Sequence, residues 1–258
     1  MNLEPIVQLT VHNKRFGNSL VLDNVSFEIG SGEIVSLVGP SGCGKSTLLR
    51  IVAGLDTDFR GRIRFLHNGE EVDGNVGFVF QEPRLLPWLT VAQNVGFGSD
   101  HPEADRPRIL ALLEEVGLGD AADKLPKELS GGMAQRAAIA RGLFAPAPGG
   151  NAGAEQGSAQ RILLLDEPFS AVDAFTRIKL QDLLIHLARV HHLTLLVVTH
   201  DVDEAAYLSD RVLVLGSNPG RILHANHVAL ARPRDRRDPA LTQVRNDLLE
   251  VLSQSHAI

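Results

Sequence analysis

Gly39-Pro40-Ser41-Gly42-Cys43-Gly44-Lys45-Ser46-Thr47 decides the reading of this chain. The stretch is a complete G-x-x-x-x-G-K-S phosphate loop. It follows the apolar run Glu33–Val38, which reads as a strand, and opens Thr47–Ala53, which reads as a helix. Strand, loop and helix start together aim backbone N–H groups and a helix dipole at one point. Glycines permit the close backbone approach that a triphosphate needs, because they carry no Cβ. Lys45 is placed to reach the β- and γ-phosphates and the Ser46 hydroxyl to ligate Mg2+.

Outward from this loop, Ile6–Val11 and Leu20–Ile29 alternate apolar and polar residues, and 13–18 reads as the turn of a hairpin-like start. Arg62–Leu66 and Val76–Phe80 read as two further strands joined by the turn His67–Glu70. Between 90 and 145 the pattern turns helical, in Val91–Val95, Ile109–Val116 and Ala134–Phe144. Strand and helix then alternate: 162–165, 174–191, 195–198, 202–208 and 212–215. Such alternation predicts a parallel sheet. An amphipathic helix is expected at about 239–254, and 146–160, which lacks any large apolar residue, is expected to be a flexible loop.

The chain has 258 residues, 44% of them hydrophobic and 22% charged, within the range of globular proteins. A net charge of −6 disfavours bulk attraction to nucleic acid or anionic lipid, so no nucleic-acid partner is expected. No apolar run approaches the ~20 residues that span a bilayer. The start Met1–Pro5 does not read as a signal peptide, and the single Cys43 allows no internal disulfide, consistent with a reducing cytoplasm. Any membrane role must come through a partner.

Further motifs narrow the reading. Arg161-Ile162-Leu163-Leu164-Leu165-Asp166-Glu167-Pro168 is an apolar strand ending in two carboxylates. Asp166 is suited to a Mg2+ shell and Glu167 to polarising an attacking water. Leu129-Ser130-Gly131-Gly132 precedes a helical run and offers a second anion site, although serine also serves simply as a helix cap. With these residues in order, the sequence resembles the nucleotide-binding subunits of ABC transporters over nearly its whole length. Leu129–Gly132 matches their signature, Gln81 their Q-loop, Ser170–Asp173 their D-loop and His200 their switch histidine. Phe16 resembles the aromatic residue that stacks on adenine.

The resemblance implies a single α/β domain over 1–258: a P-loop NTPase (RecA-like) core with an antiparallel β subdomain and an inserted α-helical subdomain at about 82–145. It implies ATP and Mg2+ as cofactors. Gly39, Pro40, Ser41, Gly42, Cys43, Gly44, Lys45, Ser46 and Thr47 would hold the phosphates, and Ser46, Gln81 and Asp166 the metal. Glu167, His200 and Gln81 would be catalytic. Two copies would pair head-to-tail, so that Ser130 and Gly132 touch the γ-phosphate in trans and Asp173 couples the subunits. Further partners would be an integral-membrane permease and, indirectly, a periplasmic or extracellular solute-binding protein, placing the chain at the cytoplasmic face of the membrane.

Gln81–Val91, with Arg84, Leu85, Leu86 and Trp88, resembles the Q-loop extension of the nitrate/sulfonate/taurine importer group, as do Asp166–Asp173 and Asn218–Ile222. Aliphatic sulfonates lead as the expected cargo. Taurine, nitrate and a thiamine precursor stand as alternatives, and a soluble ABC ATPase of DNA repair or translation as a different class. Trp88 has two readings, an anchor for a partner helix or packing within the helical subdomain. The position of Cys43 at a helix N-terminus beside Lys45 leads to an expectation of a lowered thiol pKa and maleimide sensitivity that ATP relieves. His191, His192, His224 and His227 have no matching ligand set, and 232–237 reads as a solvated basic turn.

Overall fold

The computed structural model describes residues 3–144 and 161–255; the loop expected at 146–160 lies outside the described residues. The chain begins with β1 (Pro5–Phe16), β2 (Ser19–Gly30), β3 (Ile34–Val38), α1 (Lys45–Val52), β4 (Arg60–His67), β5 (Glu70–Val72) and β6 (Val76–Val79). Three helices follow, α2 (Val91–Val95), α3 (Pro102–Glu115) and α4 (Gly131–Phe144). After 160 come β7 (Ile162–Asp166), α5 (Ala174–Val190), β8 (Thr194–Val198), α6 (Val202–Leu208), β9 (Arg211–Leu215), β10 (Ile222–His227) and α7 (Pro239–Ser255).

The strands form two sheets, an antiparallel one of order β2-β1-β4-β5 and a six-stranded one of order β10-β9-β3-β8-β7-β6. In the second, β6, β7, β8, β3 and β9 are mutually parallel and β10 is an antiparallel edge. Its central strands are buried along their whole length because each face meets a separate apolar layer. The two-residue period sorts their side chains between these layers. Leu163, Leu165, Leu195, Val197, Val212 and Val214 face the layer built with α2 to α7. Ile162, Leu164, Leu196, Val198, Leu213 and Leu215 face α1 and the antiparallel sheet.

Several local expectations are corrected. The hairpin turn is only Gly17-Asn18, not 13–18, since Arg15 pairs with Leu20 and Phe16 with Ser19. Lys14 and Arg15 carry turn-like polarity, but Lys14 points inward and is buried. The turn after His67 joins β4 to the short, fully exposed β5, whereas β6 belongs to the other sheet. Helix α3 starts at Pro102, seven residues earlier than the apolar spacing suggests, because its first half is exposed and polar.

The basic stretch 232–237 is no solvated turn. Arg232 bonds to Asp210 and to the Leu208 carbonyl. Arg236 lies 3.5 Å from the Tyr207 ring centroid and donates to Gln181 at 2.6 Å and Asp182 at 2.8 Å. Arg234 is buried and donates to five carbonyls, those of Ala206, Tyr207, Ser209, Val228 and Leu230, at 2.7–3.3 Å. Burial pushes its pKa down to about 10, the adjacent Arg232 adding to the shift. This clamp fastens the approach to α7 onto the end of α6. Arg234→Met strands these acceptors and is expected to lower unfolding stability by about 3 kcal/mol in urea titrations. Arg234→Lys should fall between, because an ammonium offers only three N–H groups.

Candidate functional site

Parallel α/β sheets bind ligands beyond the carboxyl ends of their strands, and four strands here deliver motif residues from those ends. Strand β3 leads into the phosphate loop, β6 to Gln81, β7 ends at Asp166 and Glu167, and β8 is followed by Thr199 and His200. Strands β7 and β8 are neighbours, with Asp166 opposite Val198, so the carboxylates and His200 emerge side by side.

The phosphate loop is held in shape by close packing. Gly44 has φ 100, and a Cβ there would come within 2.6 Å of Leu22 Cδ2. At Gly220 a Cβ would meet the Cys43 carbonyl oxygen at 2.2 Å. Gly220 also donates to Val21 O at 2.8 Å and accepts from Asp23 N at 3.0 Å, so 216–221 bridges the loop to β2. Gly44 caps α1 in left-handed conformation without a side-chain hydrogen bond, so no side chain competes for the first-turn amides. Lys45 is buried and its Nζ donates to the carbonyls of Gly39 and Pro40, both at 2.8 Å.

Ser46 Oγ donates to Asp166 Oδ1 at 2.9 Å. Burial pushes the Asp166 carboxyl above the usual carboxylate range; the Ser46 bond opposes this, the Glu167 charge adds to it, and Arg50 and Lys45 pull it back. A desolvated carboxylate beside a hydroxyl, with the Gln81 amide exposed at the next strand, is an oxygen-only donor set that fits a hard cation such as Mg2+. Glu167 stands in left-handed conformation, φ 45, a strained state for a residue with a side chain. Its N–H donates to Val198 O at 2.9 Å and its carbonyl accepts from Ser170 Oγ at 2.9 Å. The turn aims its carboxylate at His200, whose Nδ1 lies 3.1 Å from Glu167 Oε2.

A second group forms elsewhere on the chain. Ser130 Oγ accepts from Met133 N at 3.3 Å at the start of α4. Gly132 sits so close to Thr176 that a Cβ would reach its Cγ2 at 2.5 Å. Asp173 caps α5, accepting from the amides of Phe175 and Thr176 at 3.1 and 3.0 Å and from Thr176 Oγ1 at 2.6 Å. These bonds, the Thr176 hydroxyl's foremost, hold its carboxyl below the ordinary range. The structure thus gathers Lys45, Ser46, Asp166, Glu167 and His200 in one place, and Ser130, Gly132 and Asp173 in another.

Phe16 is 55% exposed at the tip of β1, and Trp88 is 71% exposed, which excludes the reading that packs it inside the helical subdomain. The loop bearing Trp88 is firmly built. The fully buried Asn94 accepts from Leu86 N at 2.7 Å and donates to the carbonyls of Leu86, Leu89 and Thr90 at 3.0–3.1 Å. Arg141 donates to the carbonyls of Pro83 and Arg84 at 2.7 and 2.8 Å. Sequence reasoning missed Asn94 and Arg141, which act on backbone and carry no pattern of their own, and took Gly220 only as part of the Asn218–Ile222 resemblance. His191 ends α5 and meets Glu115 at 2.6 Å.

Cys43 overturns its expectation. The side chain is 1% exposed, and burial raises the thiol pKa, outweighing the opposing pull of Lys45.

This arrangement defines an ATP-binding cassette. Residues 22–149 match the family model described as ABC transporter. The chain is 58% identical over 255 residues, covering 99% of each, to the aliphatic sulfonates import ATP-binding protein SsuB 1 of Pseudomonas syringae pv. syringae (strain B728a). It is 54% identical over 260 residues, covering 97% of each, to the protein of the same name from Xanthomonas axonopodis pv. citri (strain 306). Among solved structures, the dimeric post-hydrolysis state of the ATP-binding cassette MJ0796 bound to ADP and Pi superposes with a TM-score of 0.69 at 31% identity, over 88% of this chain and all of that one. CbiO1 of Clostridium perfringens, part of the transporter complex cbiONQ, gives 0.72 at 25% identity, over 87% and 89%. The chain belongs to the ATP-binding subunits of ABC transporters, ATPases that share a P-loop core with antiparallel β and α-helical subdomains. No helix among the described residues is long and apolar enough to cross a membrane.

Two measurements check this geometry. Maleimide should label Cys43 in native protein at least about 100-fold more slowly than in urea-unfolded protein, with or without ATP. Asp166→Asn should raise the thermal midpoint of the protein in EDTA. Because burial raises the folded-state pKa of Asp166, its ionisation opposes folding as pH climbs through that value. The gain should therefore be present at about pH 7 and vanish toward about pH 4.

Proposed function

We propose that this chain is the ATPase subunit of an importer for aliphatic sulfonates. The observation that carries the reading is the near-complete match, at 58% identity, to a protein named for that import. The preformed contacts of Ser46 with Asp166 and of Glu167 with His200 support the ATPase chemistry.

In this reading the amides of Gly39, Pro40, Ser41, Gly42, Cys43 and Gly44, with Thr47 in the first turn of α1, cradle the phosphates of ATP. Lys45, now bound to its own loop carbonyls, exchanges them for β- and γ-phosphate oxygens. Ser46, Asp166 and Gln81 hold Mg2+, which supplies charge neutralisation of the triphosphate when bound. Glu167 orients and deprotonates the attacking water, and His200 donates a hydrogen bond to the γ-phosphate from the position Glu167 fixes. Phe16 stacks on adenine.

Ser130 and Gly132 lie with Asp173 in a separate group, which makes sense if a second copy presents that group to the γ-phosphate head-to-tail. The dimeric state of a 31% identical cassette supports such pairing. Asp173, tied into the start of α5, then couples the two copies. Trp88 on its braced loop is the anchor for a permease helix, leaving this subunit peripheral at the cytoplasmic face and linked only indirectly to a solute-binding protein.

Growth of a deletion strain on single sulfur sources tests the reading. Wild type should restore growth on an alkanesulfonate, and Glu167→Gln, with turnover about 10²- to 10⁴-fold lower, should not. Loss of growth on taurine or nitrate alone would change the cargo, and the absence of any nutrient phenotype would sink the importer reading.

A further inference from the structure

Lys14 is 2% exposed although it lies two residues from the solvent-exposed tip of β1. A buried ammonium is costly unless its N–H groups are met, and here they are. Nζ donates to Asp56 Oδ1 at 2.7 Å and to the Asp58 carbonyl at 2.6 Å, and lies 3.5 Å from Asp58 Oδ2. Asp56 and Asp58 lie in the segment a few residues beyond α1, and the Asp56 amide donates back to Arg50 O of that helix at 3.3 Å. The same Nζ lies 4.6 Å from the centroid of the Phe16 ring, within cation–π range. One buried charge therefore ties an exposed aromatic ring to the far end of the helix whose near end carries Lys45 and Ser46.

We propose that Lys14 is a positioning residue for nucleotide binding, holding the Phe16 ring in register with the phosphate-loop helix so that base and triphosphate are received by one rigid unit. The proposal rests on the reading of Phe16 as the adenine platform. An unsupported exposed phenylalanine would have to be ordered by the nucleotide itself, at the expense of affinity. The irregular register at Lys14/Arg15, where Leu22 and Leu20 are successive partners and Val21 is skipped, adds local twist beside the ring. Because Lys14 acts through the ring, its effect should be confined to ligands that carry a base.

The test is a double-mutant cycle on the full chain, with calorimetric affinities for Mg-ATP and for Mg-tripolyphosphate, which has the phosphates and no base. Phe16→Leu should weaken ATP and spare tripolyphosphate. Lys14→Met should weaken ATP roughly three- to tenfold, spare tripolyphosphate, leave kcat at saturating ATP within about twofold, and add nothing in the Phe16→Leu background. Lys14→Arg, which keeps the cation, should retain most of the affinity. If Lys14→Met does not fold, Asp56→Asn, which loosens the anchor and keeps the ammonium, should show the same base-dependent loss in smaller measure. Equal weakening of tripolyphosphate, or full additivity with Phe16→Leu, would reduce Lys14 to a structural tie and overturn the proposal. A Phe16→Leu variant that binds ATP as wild type would instead remove the adenine platform itself, and the proposal with it.

Discussion

The phosphate loop has no spare volume where Gly39 and Gly44 turn toward the rest of the fold, and much of the architecture follows from that. Its backbone is pressed between the bulged part of β2 and the segment after β9, so closely that a single methyl at Gly44 or Gly220 would overlap Leu22 or the Cys43 carbonyl. Packing of this kind transmits rather than absorbs displacement. The antiparallel sheet, the parallel sheet and α1 all meet at these few atoms. The loop's shape is set by three elements far apart in the chain and does not depend on a ligand to create it.

Around that fixed point the carboxyl ends of β6, β7 and β8 add their side chains in spatial order. The strained backbone at Glu167 and the desolvated carboxyl of Asp166 are unfavourable features held in place by strong surroundings, a pattern common where structure serves chemistry rather than stability. The group around Ser130, Gly132 and Asp173 is organised to a similar degree, through glycine-to-Thr176 contact and a fully used aspartate cap. In the proposed head-to-tail pairing each copy would bring two preorganised groups, and little rearrangement within either would be needed.

Most of the parallel sheet was legible because buried strands bounded by glycine and acidic residues have a strong local signature. The motif residues stood out by their fixed spacing, and the fold brings Ser46 to Asp166 and Glu167 to His200. What escaped was non-local. Lys14 looks like a turn residue until Asp56 and Asp58 are brought to it. Arg232 to Arg237 look solvated until the carbonyls at the end of α6 close around Arg234. Strand β5, three exposed residues with two glutamates, owes its conformation to pairing with β4 alone. The Cys43 expectation weighed a nearby cation and a helix end but had no means of weighing burial, which dominates.

The Arg234 clamp has a consequence for how such a chain can change over time. All five acceptors are main-chain oxygens, contributed by Ala206, Tyr207, Ser209, Val228 and Leu230. The guanidinium therefore recognises the path of the backbone and not the identity of those residues. Substitution at these positions can drift within the limits of packing without loosening the joint, while the arginine itself has no equivalent replacement. A single side chain that reads only main-chain oxygens can in this way keep α7 docked while the residues around it change.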